Sequence, residues 1–154
     1  MSGSTDTSFH HPILSDVHVE PMRIEDYDDV RAVWEQSLNR PLDGSDSREC
    51  IVTYLSRNPR MSMVARHKGR VIGAALCGHD GHRGWLYHVA VDRLWRRHGV
   101  ASAMIEACAD RLAEEGILKC HLFVLRENGV GHAFWESQGW AIRSDVDLMT
   151  KDMG

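Results

Sequence analysis

At 154 residues, with 43% apolar and 26% charged side chains, the chain has the length and composition of one soluble globular domain with its own core. A net charge of −4 argues against a nucleic-acid-binding function; no apolar run reaches the length of a membrane span, and the polar N-terminus lacks a signal peptide's apolar centre. The four cysteines at 50, 77, 108 and 120 are widely spread, so a reducing, cytoplasmic setting is expected rather than a disulfide framework.

Residues 1–16, rich in Ser, Thr and His, read as a flexible tail ahead of a single domain over 17–154. VHVEPM is a short alternating strand. A helix follows with Tyr27, Val30, Trp34 and Leu38 on one face, and its acidic first turn (Glu25, Asp26, Asp28, Asp29) complements the helix dipole. NRPLDGSD is a loop, from which Ser45 or Asp46 caps a second helix ending before Asn58–Pro59. MSMVARHKGRVIGAALCGHD predicts two strands around Lys68–Gly69, DGHRG a second reversal, and WLYHVAVD a further strand. From Gly99 to Glu115 the spacing of Val100, Met104, Ile105, Cys108 and Leu112 predicts an amphipathic helix stopped near Gly116. KCHLFVLR reads as a strand, NGVGHAFWESQ as a short helix, and WAIRSDVDLMTKDM as two final short strands. The order βααβββαβαββ implies an α/β mixture around one largely antiparallel sheet.

The strongest chemical signal is the junction YHVAV-DRLW-RRHGVA. A strand ends, Arg93, Arg96, Arg97 and His98 cluster, and Gly99 opens an amphipathic helix. Free amides and the dipole at such a start favour an anion; a glycine there allows close backbone approach, and small Ala101 avoids crowding it. In a net-acidic chain, three arginines within five residues point to a polyanionic ligand, although a solvated basic loop would read the same way. The Gly-Lys-Ser/Thr ending of a nucleotide-triphosphate loop is missing, and so is the GxGxxG of dinucleotide sites.

Arg96-Arg97-His98-Gly99-Val100-Ala101 resembles the [QR]xxGx[GA] acetyl-CoA loop of the GNAT superfamily of N-acetyltransferases. YHVAV resembles that family's central strand. Asn128, seven positions before Trp135, followed by Gly139–Trp140, is similar to its N…(Y)E…GF segment. DGHRGW ahead of YHVAV further resembles the small bacterial YpeA-like acetyltransferases. The resemblance implies a mixed sheet with splayed central strands, about four flanking helices, and acetyl-CoA as co-substrate. It implies that the backbone of Val89, Ala90 and Val91 pairs with the pantetheine arm, and that the amides from Arg97 through His98, Gly99, Val100 and Ala101 to Ser102 cradle the pyrophosphate. Asn128 would bond the arm, although a helix N-cap is an equal use for it. The acceptor would be an amine on a small molecule or peptide, its choice set by the first two helices, NRPLDGSD and the C-terminal strands. Relatives often pair, so a homodimer is compatible.

The implied reaction is direct attack of an amine on the thioester. With a pKa of about 10.4, only about one lysine-type amine in two thousand is nucleophilic at neutral pH, so the protein must accept a proton, directly or through water. If the hairpin loop is residues 80–84, alternation puts Cys77, His79, Trp85 and Tyr87 on one face and Leu86 and His88 on the other. In relatives polar groups on this strand serve as base; Tyr87 matches best, followed by His79 and His88. Cys77, His79 and His82 converge poorly for a metal, so none is expected. Where relatives carry a tyrosine that protonates the thiolate, the alignment gives Trp135, whose indole N–H donates a hydrogen bond but does not usefully deliver a proton. That departure also fits a second reading, a catalytically weakened acyl-CoA-binding or regulatory domain.

Overall fold

The computed structural model describes residues 16–154; the expected tail, apart from Asp16, lies outside the described residues. The chain divides into two compact units, one ending at Phe123 and one running from Val124 to Gly154.

The first unit is built on a five-stranded sheet in the order β1-β2-β3-β4-β5: β1 Val17–Pro21, β2 Met63–His67, β3 Arg70–His79, β4 Gly84–Val91 and β5 Cys120–His121. Neighbours run antiparallel except β4 and β5, which are parallel. β2 and β3 meet at Lys68–Gly69, where φ values of 49° and 80° match the two left-handed residues of a type I′ turn. Three helices cover the sheet: α1 Tyr27–Ser37, α2 Arg48–Arg57 and α3 Val100–Glu114. β3 is buried along nearly its whole length, which explains its almost unbroken apolar run, RVIGAALCGH.

The predicted apolar stripe of α3 is the buried one: Val100, Met104, Ile105, Cys108 and Leu112 all face the core. Each large side chain so buried stabilises the fold by about 1.5–3 kcal/mol. Gly116 (φ 76°) ends α3 in a Schellman turn, its N–H reaching the Ala113 carbonyl (3.0 Å) and that of Ile117 reaching Leu112 (3.0 Å). On the other face Trp34, Val30, Ile51 and Tyr27 form a cluster with Leu76, Ala74 and Ala90 of the sheet.

In the first unit three expectations need correction. Ser47, rather than Ser45 or Asp46, caps α2, its hydroxyl accepting from the Cys50 amide at 3.2 Å. The strand expected over KCHLFVLR shortens to Cys120–His121. The hairpin between β3 and β4 turns over residues 80–83, because the Asp80 carboxylate accepts the amides of His82 and Arg83 (both 2.8 Å) and draws the loop tight. One residue fewer in the loop moves the register by one and exchanges faces. Tyr87 therefore pairs with Leu76, Cys77 with Leu86, and His79 with Gly84. A Cβ on Gly78 would meet the Tyr54 hydroxyl of α2, and one on Gly84 would meet Leu112 of α3. Cys77 and His79 accordingly lie on the α3 side, opposite Trp85 and Tyr87.

The second unit holds α4, Gly129–Ser137, capped by Asn128, whose side chain accepts from the Gly131 amide at 2.9 Å. It stops in the same kind of turn as α3: Gly139 (φ 90°) bonds Glu136 (3.1 Å), and the Trp140 amide bonds the Trp135 carbonyl (3.0 Å). Residues 141–154 are exposed and carry no strand, so the two final strands expected there are absent among the described residues. Alternation alone does not make a strand, which exists only through its ladder.

Candidate active site

The loop between β4 and α3 is shaped by its backbone. Asp92 caps a short 3-10 turn, Arg93–Trp95, by accepting the Leu94 amide at 2.9 Å. Arg97 (φ 64°) and Gly99 (φ 76°) then both take the left-handed conformation, on either side of His98. Such reversals turn successive amides toward a common side, forming a concavity for anions. The first bond inside α3 runs from the Ala103 amide to the Gly99 carbonyl (3.1 Å), so the amides of Val100, Ala101 and Ser102 have no carbonyl within the helix to reach. Arg93, Arg96 and Arg97 are exposed, and among the described residues none forms an ion pair. Three unpaired guanidiniums beside a helix N-terminus fit a polyphosphate ligand.

The sheet splits next to this loop. β4 and β5 pair only at Gly84–Cys120 and Trp85–His121, while β4 continues to Val91. Beyond Trp85 its edge lacks a β5 partner, which leaves backbone groups available to an extended amide-bearing ligand. Ala90 turns its side chain into the core opposite Ala74, while Val89 and Val91 are half-buried.

Within the split stretch the alternation breaks. Ala74 pairs with Ala90 and Leu76 with Tyr87, so β4 carries an extra residue at 88–89, and His88 sits there with φ 51°. A non-glycine residue held left-handed costs on the order of 1–3 kcal/mol and persists only where neighbours fix it. Here the Trp34 indole N–H donates to the His88 carbonyl (3.1 Å), and the Asp46 carboxylate lies 2.7 Å from the imidazole Nε2. The bulge brings His88 round to the side of Tyr87, where alternation had separated them.

Both line a cavity of about 490 Å³, together with Asp46 and Asp43 of the α1–α2 loop, Tyr54 of α2 and Phe123 after β5. Two of its aromatic residues, Tyr87 and Phe123, lie side by side (6.3 Å between centroids), and Trp85 behind them stacks on Tyr87 (6.1 Å) and leans on Phe123 (5.2 Å). Burial pushes the Tyr87 phenol above its ordinary range, so at neutral pH it is a hydrogen-bond donor, not a phenolate. Tyr54 is pushed up further by burial, and its hydroxyl has no hydrogen-bond partner among the described residues.

Of the residues singled out from sequence, Tyr87 and His88 come together at the cavity. His79 does not: it lies across the sheet, its Nδ1 accepting the Gly81 amide (3.0 Å) and its Nε2 3.9 Å from Glu115. The loop residues 96–102 and Val89–Val91 are contiguous with β4 and α3, as the motif implied. Asn128 and Trp135 belong to the second unit. There Asn128 is a helix cap, and Trp135 packs edge-on against Phe134 (5.1 Å) and Trp140 (5.3 Å). The Trp135–Trp140 contact is the apolar clasp that accompanies a Schellman turn. Asp46 was missed as a site residue, because in sequence it is one more polar residue before a helix. Cys50 and Tyr54 read only as part of the second helix.

A parallel split beside a bulged strand, leading into a basic helix N-terminus and bordered by a side-chain-lined cavity, is the arrangement that the resemblance to the N-acetyltransferases implies. The family comparison agrees: residues 23–140 match the Acetyltransferase (GNAT) family, and the chain belongs to it. It is 29% identical over 136 residues to an acetyltransferase of Sodalis glossinidius, covering 88% of this chain and 94% of that protein. An acetyltransferase of Pectobacterium atrosepticum is 32% identical over 113 residues, 73% of this chain and 79% of that one. In fold it is similar to the PaiA N-acetyltransferase of Thermoplasma acidophilum, solved in complex with coenzyme A, with a TM-score of 0.71 at 17% identity, covering 85% and 92% of the two chains. The protein is an acyltransferase, and no helix among the described residues is long and apolar enough to cross a membrane.

Proposed function

We propose that this enzyme takes an acetyl group from acetyl-CoA and delivers it to a primary amine by direct attack, with residues 17–154 acting as one catalytic domain. The observation that carries this is the continuity of β4, which lines the cavity with Tyr87 and His88, loses its β5 partner, and leads straight into the arginine-rich start of α3. The amides of Arg97 to Ser102 and the guanidiniums of Arg93, Arg96 and Arg97 hold the pyrophosphate. The backbone of Val89, Ala90 and Val91 pairs with the pantetheine arm; Asn128 and Trp135 hold the positions that the family motif gives to cofactor contacts. Acetyl-CoA supplies the thioester whose carbonyl carbon is attacked.

The acceptor, a small molecule or peptide, enters through the cavity. Its ammonium group is met by the exposed carboxylate of Asp43 and must lose a proton to a group on the cavity wall. The Tyr87 phenol, held protonated by burial, orients the acceptor or the thioester oxygen by donating a hydrogen bond. Trp135 stands, by the motif, where relatives carry an acid; a thiol with an ordinary pKa near about 8.5 leaves as thiolate and takes its proton without one. The test is thiol release from acetyl-CoA over a panel of amines and peptides. Amine-dependent release supports the reading, and tight acetyl-CoA binding with no release on any acceptor sinks it.

A further inference from the structure

We propose that Asp46 is a positioning residue that makes His88 the proton acceptor of the reaction, by taking the ring's Nε2–H and leaving Nδ1 as the unpartnered lone pair. The inference rests on the acetyl-transfer reading and goes beyond it, since neither the motif nor the family comparison assigns a role to Asp46.

The geometry is specific. The Asp46 carboxylate oxygen Oδ1 lies 2.7 Å from His88 Nε2, and the two side chains are 10% and 9% exposed. Asp46 is itself fixed: Oδ2 accepts the Asp43 amide at 3.0 Å, and its backbone carbonyl accepts the Tyr27 hydroxyl at 2.6 Å. An ionised carboxylate only accepts, so the neutral imidazole must carry its proton on Nε2. Nδ1 is then the acceptor, and it is buried with no hydrogen-bond partner among the described residues. The Trp34 ring, 5.0 Å away and inclined at 61°, closes one side of the imidazole, while His88 and Asp46 both border the cavity. A ring clamped in one tautomer by a buried carboxylate is the arrangement by which a histidine becomes a base, because the imidazolium that forms is stabilised in place.

The step balances. An alkylammonium acceptor gives its first proton to Nδ1, which frees the nitrogen lone pair. That pair forms the N–C bond, and the C–S bond breaks with its electrons remaining on sulfur. The second proton, shed by the nitrogen, ends on the sulfur, and the imidazolium returns its proton to solvent. A nucleophile that is already unprotonated at neutral pH skips the first transfer, and this separates a base from a merely structural contact.

The experiment uses the full chain with Asp46→Asn and His88→Asn. Asparagine tolerates a positive φ better than most residues, so His88→Asn keeps the bulge and leaves Asp46's bond to the Asp43 amide intact. Imidazole ¹⁵N spectra, with the His88 signal assigned by its absence in His88→Asn, should show the Nε2–H tautomer in the wild type and loss of that single tautomer in Asp46→Asn. Both variants should lose about 100-fold in kcat/KM with n-butylamine and stay within about threefold with hydroxylamine, the range a general base supplies. Acetyl-CoA affinity by calorimetry should not change. Equal losses with both nucleophiles, or an unaltered tautomer in Asp46→Asn, would overturn the proposal while leaving acetyl transfer standing. A wild type that binds acetyl-CoA but releases no thiol with either nucleophile overturns the underlying reading and this one with it. If Asp46→Asn does not fold, the wild-type spectrum decides for Asp46, an Nδ1–H ring overturning the proposal, and the nucleophile contrast in His88→Asn decides for the base.

Discussion

The two halves of the proposed site are made of different material. The anion cradle is backbone: one continuous stretch, residues 96–102, shaped by two left-handed residues and the free end of a helix. The proposed acceptor cavity is side chain, assembled from the α1–α2 loop, α2, β3, β4 and Phe123 beyond β5. A backbone site depends on local conformation and tolerates changes of side chain that keep it. A side-chain site tolerates little at its walls, and each wall residue has supports of its own elsewhere in the fold. The cradle should therefore fail through φ angles and the cavity through volumes and hydrogen bonds.

The largest effect should come from Gly99→Val. At φ 76° a β-branched residue is strained, and relief of that strain moves the amides that open α3. We expect acetyl-CoA affinity by calorimetry to fall about 100-fold, within what 1–3 kcal/mol of strain and lost contacts allow. Unchanged affinity would remove the loop from the site. On the cavity side, Gly78→Ala places a Cβ 2.6 Å from the Tyr54 hydroxyl and 2.7 Å from Asn58, both closer than atoms approach. It should cost about 1–3 kcal/mol in chemical denaturation and displace Tyr54, raising acceptor KM more than acetyl-CoA Kd.

A smaller effect sharpens the same division. Cys77 and Cys108 are buried, and burial pushes the Cys120 thiol up to about 12, so exposed Cys50 is the thiol that iodoacetamide should modify at neutral pH. Because Cys50 borders the cavity, its modification should raise acceptor KM about fivefold and leave acetyl-CoA affinity alone, a loss of the size expected when a wall contact is crowded. Equal effects on both ligands would mean that the two halves are not separable. The smallest effect belongs to Trp135→Tyr. Tyrosine keeps an aromatic contact for Trp140, so kcat should stay within about twofold; a marked rise would show that protonation of the thiolate limits the rate.

The same contrast explains what could be read in the sequence. That RRHGVA opens a helix was legible because its parts are neighbours in the chain, and so were the buried face of α3 and its stop at Gly116. The loop length of the β3–β4 hairpin was not, since DGHRG permits two registers and the Asp80 side chain decides between them. That one-residue choice moved His79 away from Tyr87. The position of His88 was hidden more deeply. Alternation places it opposite Tyr87, and the groups that hold its bulge, Trp34 and Asp46, lie 54 and 42 residues away in sequence. The C-terminal strands failed for a related reason: WAIRSDVDLM has a strand's pattern, but pattern alone supplies no ladder.

The central claim is that both halves serve one reaction on a primary amine. It is tested most directly by measuring coenzyme A thiol release by the wild-type chain over a panel of small amines and peptides, with acetyl-CoA saturating. We expect release that depends on the amine and saturates with it, above the hydrolysis seen without acceptor. Saturable acetyl-CoA binding with release no faster than that background, whatever the amine, would contradict the claim.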